Sequence, residues 1–169
     1  TFSYTLSAIP SHAQTLFAYG FSIFAWYSCC MHFTIHADGG ARGNPGPAGA
    51  GAIIRDEFGV SVASVSKFLG HQTNNFAEYE AVILAFEALV ELVPLIEHDA
   101  TEVAVKLDSE LVVKQMNGLY KVRNPTLREQ KARLAQVASA FGTVSFTHVP
   151  REENSDADAL ANAAMDRGA

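Results

Sequence analysis

Four acidic residues in this chain stand where short side chains can do chemistry. Asp38 closes the alternating run HFTIHAD (32–38), and Asp108 closes a second alternating run, TEVAVKLD (101–108). Ligands of open α/β sheets gather beyond the carboxyl ends of strands, so two strand-terminal aspartates invite a shared site. Glu78 falls in the first turn of a helical segment at 74–93, and Asp158 in the first turn of a last one that begins at Ser155. Carboxylates gathered from several elements would hold a hard divalent cation, which takes oxygen ligands. Each acid also has a purely structural reading. Asn75-x-x-Glu78 and Ser155-x-x-Asp158 have the form of capping boxes, and Asp108-Ser109 can cap the helix that follows. With 18 Asp and Glu in the chain, spacing alone does not choose between these readings. The run after Asp38, GGARGNPGPAGAG (39–51), is the other unusual feature. A hairpin needs only about two to five loop residues, so this density of Gly and Pro points to a backbone that must come close to something.

Periodicity outlines the elements that must position these residues. Phe33, Ile35 and Ala37 alternate with His32, Thr34, His36 and Asp38, which predicts a strand with one buried face. GAGAIIRD and VSVASVSKFL on either side of DEFG predict a hairpin. NNFAEYEAVILAFEALVELV (74–93) predicts a helix ended by Pro94, with Tyr79, Ile83, Phe86 and Val90 buried and Glu80, Glu87 and Glu91 wet. SELVVKQMNG predicts a short helix closed by Gly118, and NPTLREQKARLAQVASAF a longer one with Pro125 near its start. TVSFTHVP (143–150) predicts the last strand and SDADALANAAM the last helix. The order βββαβααβα predicts an α/β fold: a mixed five-stranded sheet, antiparallel over its first three strands and parallel thereafter, flanked by helices.

Composition sets the frame. A chain of 169 residues, 49% apolar and 18% charged, is long enough for one globular domain with a substantial core. Its net charge of −6 does not by itself point to a nucleic-acid partner. Half of the 12 basic residues nevertheless crowd into 114–133, where Lys114, Lys121, Arg123, Arg128, Lys131 and Arg133 face only Glu129; such a run is either a solvated helix face or a patch that tracks a phosphate backbone. The two cysteines, Cys29 and Cys30, are adjacent and form no disulfide framework, which suggests a reducing, cytoplasmic compartment. Residues 1–30 carry no Asp, Glu, Lys or Arg. The apolar stretch LFAYGFSIFAWYSCCM (16–31) is short for a membrane span and lacks a basic flank or a clear cleavage site. It reads as a leader or translation artefact outside a functional domain at 31–169, with a membrane anchor as the alternative.

DGGARGNPGPAG (38–49), TNNFAEYEAVILAF (73–86), KLDSELVVKQMNG (106–118) and HVPREENSDADALAN (148–162) occur in that order. In content and spacing they resemble ribonuclease H type 1 over about residues 31–167, and the short link GLYKVRNPTL resembles its compact archaeal and bacterial subgroup. The resemblance implies an RNase H-like fold and a two-metal endonuclease that cuts the RNA strand of RNA–DNA hybrids, leaving 5′-phosphate and 3′-hydroxyl ends. It places the family's acidic quartet on Asp38, Glu78, Asp108 and Asp158. Asp38 would lie between two Mg²⁺ ions, for which Mn²⁺ can substitute, with Glu78 and Asp108 on one ion and Asp158 on the other. His148 matches the family's mobile general-acid or product-release histidine, and Arg151 competes for that role because some compact relatives use arginine there. A histidine titrates near neutral pH and an arginine does not, which favours His148 for proton transfer.

The resemblance also implies the substrate contacts. Backbone groups of Gly39, Gly40, Ala41, Arg42, Gly43 and Asn44 would meet the RNA 2′-hydroxyls together with Asn74, Asn75 and Ser109, the groups that tell RNA from DNA. On this reading the glycines expose bare backbone to the RNA sugars. Thr73 matches a pocket for a DNA phosphate. Glu110 departs from the Gln or Asn common at its position, and a carboxylate there repels phosphate. A monomer without an obligate protein partner is expected, with double-stranded RNA as a second substrate of the compact subgroup. Two rival readings stay open: a non-catalytic hybrid-binding module on the same fold, and a different nuclease of the RNase H superfamily, which would share the first acid but not TNNFAEYEA or NSDADALAN.

Overall fold

Phe33, Ile35 and Ala37 are buried while their neighbours are not, as alternation requires, but their strand is longer than the sequence pattern suggests. In the computed structural model, which describes residues 31–168, β1 spans His32–Ala41 and so runs through Asp38 and the first two glycines. β2 (Gly46–Arg55) takes up the rest of the glycine run, leaving only Arg42–Pro45 as a turn. Most of the glycine run is therefore paired strand. The reading of residues 1–30 lies outside the described residues.

β2 turns through the Asp56–Val60 segment, where the Asp56 carboxylate accepts the Phe58 and Val60 amides, into the long edge strand β3 (Ser61–Gln72). After helix α1 (Asn74–Leu92) and a 3-10 turn at Leu95–Ala100 comes β4 (Glu102–Leu107). Then follow α2 (Glu110–Met116), α3 (Pro125–Ala138), β5 (Thr143–His148), a 3-10 turn at Arg151–Asn154, and α4 (Ser155–Gly168). The sheet order is β3-β2-β1-β4-β5; β1 pairs antiparallel with β2 and parallel with β4, and β4 pairs parallel with β5. The expected mixed five-stranded sheet is thus observed. The main core, including Ile35, Ile54, Ile83, Phe86 and Val105, joins the sheet to α1 and α3. Among the described residues, no helix is long and apolar enough to cross a membrane.

α1 differs from its sequence reading in two places. Glu80, assigned to the wet face, is buried and accepts from Gln130 Nε2 (3.0 Å) and Arg133 Nη1 (2.9 Å) on α3. Val90, assigned to the buried face, is 38% exposed. Helical periodicity reports which residues share a face. It does not report that a second helix will cover part of the polar face and bring its own donors.

Candidate active site

Asp38, inside β1, and Asp108, just past the end of β4, are neighbours by register. The β1–β4 ladder ends at His36–Lys106, and Asp38 and Asp108 each lie two residues beyond it, on strands that run about 4.8 Å apart. Two glycines then admit the helices that carry the other acids. Gly39 follows Asp38, and a Cβ there would overlap the Ala77 carbonyl and the Glu78 amide, so only glycine lets the first turn of α1 press onto β1. Gly51 is the cross-strand partner of Asp38. A Cβ on it would overlap the backbone of Ala157 and Ala161, so α4 settles against the sheet at this level with Asp158 in its first turn. Gly39 and Gly51 therefore bring in Glu78 and Asp158, a packing role that the sequence reading did not give them.

None of the four acids serves as a helix cap. Thr73, not Asn75, caps α1, its hydroxyl accepting the Phe76 amide, and the side chain of Ser109 makes no cap hydrogen bond to α2. Glu78 Oε1 accepts from Asn74 Nδ2 at 3.0 Å, while its buried Oε2 has no partner. Asp108 Oδ1 accepts from Asn154 Nδ2 at 3.0 Å. Asp158 pairs through Oδ1 with Arg151 at 2.5 Å and accepts from Asn162 Nδ2 through Oδ2. Burial, followed by the nearby charges of Asp108 and Asp158, raises Asp38 to about 6. Burial, followed by Asp38 and Asp108, raises Glu78 to about 8 against the opposing hydrogen bond from Asn74.

Like charges that share a half-buried space disfavour their own ionisation, and a cation relieves that cost. Among the described residues, no three His, Cys, Asp or Glu side chains close around one point as a ready-made cage. The donor set still fits a hard divalent ion such as Mg²⁺, which uses few carboxylates and keeps several waters. All four donors are carboxylates, and the partnerless Glu78 Oε2 is an acceptor in need of a cationic or hydrogen-bonding neighbour.

Around the acids, the Arg42–Pro45 turn is tied to the start of α1. Ala41 N–H donates to Asn74 Oδ1 and Asn74 N–H donates to Asn44 Oδ1, each at 3.2 Å. Gly40 faces the Met165 methyl, Gly43 adopts φ +100°, and the Arg42 guanidinium pairs with Asp166. Asn75 is half-buried in the first turn of α1. At the start of α2, Glu110 pairs with Lys114 (2.7 Å), so part of its charge is offset within the protein. His148 ends β5 opposite Leu107, exposed and one residue short of the Asp108 level.

The basic run is smaller in space than in sequence. Lys114 is held by Glu110 and Tyr120, Lys131 by the Gln115 carbonyl (2.6 Å), and Arg133 by Glu80 and Glu87. Lys121, Arg123 and Arg128 stand exposed between α2 and the first turns of α3. Sequence reasoning missed Asn154, whose amide touches the third acid. Its one signal was its place at the head of NSDADALAN.

Comparison with known proteins gives a consistent result. A family model described as "Reverse transcriptase-like" matches residues 36–164. The bifunctional protein Rv2228c of Mycobacterium tuberculosis is 44% identical over 82% of this chain and 37% of its own length. Ribonuclease HI of Halobacterium salinarum is 40% identical over 78% of this chain and 64% of its own. The chain thus spans less than two thirds of either relative. The crystal structure of LC11-RNase H1 in complex with RNA/DNA hybrid superposes with a TM-score of 0.73 at 45% identity, covering 80% of this chain and 98% of that one.

Proposed function

This chain belongs to the type 1 ribonuclease H family, and from that membership we propose that it is an endonuclease hydrolysing the RNA strand of RNA–DNA hybrids. The observation that carries the reading is the convergence of acids from β1, α1, the end of β4 and α4, with Asp38 and Glu78 pushed toward neutral form by burial and mutual repulsion. Asp38, Glu78, Asp108 and Asp158 would hold two Mg²⁺ ions, with Mn²⁺ as a substitute. When bound, such ions activate an attacking water and stabilise the leaving 3′ oxygen, so that 5′-phosphate and 3′-hydroxyl ends result.

The protein's own groups orient the substrate. Asn44 and Asn74 stiffen the turn after β1, and this supports its use as a rigid edge against the 2′-hydroxyls, together with Gly39 to Gly43, Asn75 and Ser109. The Thr73 hydroxyl caps α1, and a helix N-terminus of this kind favours a phosphate of the DNA strand. Exposed His148, beside the Asp108 level, is suited to hand a proton to the departing oxygen through a ring nitrogen. Arg151 keeps a positive charge over Asp158 at every working pH and is suited to product release instead. Glu110, already paired with Lys114, contributes at the margin of the RNA strand. The same backbone-directed chemistry would admit double-stranded RNA, and the protein is proposed to act as a cytoplasmic monomer.

The test is cleavage of an end-labelled hybrid in Mg²⁺ by wild type and Asp38→Asn. Loss of cleavage in the variant supports the assignment. Equal cleavage by both overturns it, and hybrid binding without cleavage by the wild type would identify a binding module instead.

A further inference from the structure

Asn154 is 1% exposed in the 3-10 turn ahead of α4, and its side chain spans two distant parts of the chain. The Nδ2 group donates to the Ala37 carbonyl at 2.9 Å and to Asp108 Oδ1 at 3.0 Å. Ala37 is the residue before Asp38, and its carbonyl is the first on β1 past the last β1–β4 pair, His36–Lys106. The amide therefore takes over where strand pairing stops. It ties the peptide preceding the first acid to one oxygen of the third. We propose that Asn154 is a positioning residue that sets the separation of Asp38 and Asp108 and leaves Asp108 Oδ2 free to face a divalent ion.

The chemistry of the position admits few substitutes. Both partners are acceptors, so the residue must offer two N–H donors from one short, uncharged group, and a primary amide does so. The same two contacts decide the amide's orientation, because a flipped side chain would set its oxygen against two acceptors. Its own Oδ1 is buried without a partner, so the side chain is held by its nitrogen alone. Alanine would strip donors from a buried carbonyl and from a carboxylate, and aspartate would place a third acceptor between them. Groups that orient a metal-binding carboxylate typically alter metal affinity or activity by about 10–100-fold when removed. This inference rests on the ribonuclease reading for its cleavage arm but not for its ion-binding arm.

The experiment compares wild type, Asn154→Ala, Asn154→Ser and the core variant Leu134→Ala on α3. Mn²⁺ affinity is measured by titration calorimetry without substrate, melting temperature in chelator, and kcat and KM on an RNA–DNA hybrid. For Asn154→Ala, Mn²⁺ affinity is expected to fall about 10–100-fold, with kcat falling in parallel and KM for the hybrid unchanged within about twofold. Asn154→Ser retains one donor and is expected to lie between, and it alone carries the test if the alanine variant does not fold. Leu134→Ala is expected to lose melting temperature yet keep Mn²⁺ affinity. The inference is overturned if the Asn154 variants lose melting temperature but keep wild-type Mn²⁺ affinity and kcat, or if wild type takes up no Mn²⁺. If wild type binds Mn²⁺ in this Asn154-dependent way yet cuts no hybrid, the ribonuclease reading falls and the positioning role stands.

Discussion

Asp38→Asn should stabilise the metal-free protein while abolishing its activity. The carboxyl titrates at about 6 instead of 3.8, first because it is buried and then because Asp108 and Asp158 are close. At 1.36 kcal/mol per pK unit, holding it ionised at pH 7.5 costs the fold about 3 kcal/mol. Because the repulsion is shared among coupled acids, and the amide loses some contacts of its own, the net gain should be about 1–3 kcal/mol. For a domain of this size that is a rise in melting temperature of roughly 3–8 °C. The sign follows from linkage: with its folded-state pKa raised, Asp38 imposes no penalty below about pH 4, where it is neutral in both states. Stability is then lost as pH rises through about 6, so the advantage of the variant should be absent near pH 4 and full by pH 7.5. Glu78, raised to about 8, extends the decline in wild-type stability to higher pH. The assay is thermal unfolding in chelator across pH 4–9, repeated with Mg²⁺, which should stabilise wild type more than the variant because ions bind the folded site. Hybrid cleavage by the variant should fall on the order of 10²–10³-fold or more. Equal melting temperatures at pH 7.5 in chelator would refute the claim that these carboxylates strain the fold.

Gly39→Ala should compromise folding itself, since its Cβ has no room against the α1 backbone, whereas Gly40→Ala should fold normally against a flexible Met165 side chain; melting temperatures of the purified pair decide this. Arg133→Ala should cost about 1–3 kcal/mol in urea unfolding, because it strips a partner from buried Glu80, while cleavage per folded molecule stays within about twofold. If Lys121, Arg123 and Arg128 track phosphates, neutralising any one should lower the slope of log K against log salt for hybrid binding by about 1. The same change at Arg133 should leave the slope alone, because that guanidinium is already committed to Glu80 and Glu87.

Local pattern was enough to read the order of elements, the burial of Phe33, Ile35 and Ala37, the stop at Pro94 and the close of α2 at Gly118, because side-chain periodicity and backbone breakers act within a few residues. The four acids could be named from their surrounding motifs. Their placement depended on contacts the chain makes over long range. Register sets Asp38 beside Asp108, and close backbone approach at Gly39 and Gly51 delivers Glu78 and Asp158. A glycine in a sequence does not reveal whether it bends a loop or makes room for a helix, and here packing rather than turning is the reason for two of them. In the same way Glu80, Lys131 and Arg133 read as solvent-facing until α3 met the polar face of α1 and Gln115 of α2. Asn154 carries no periodic signal at all, because its importance comes from a hydrogen bond to a residue 117 positions away. Residue type and local spacing determined which groups could do chemistry; only tertiary packing decided which of them meet, because the distances that govern charge repulsion and hydrogen bonding are set by register and close approach rather than by separation along the chain.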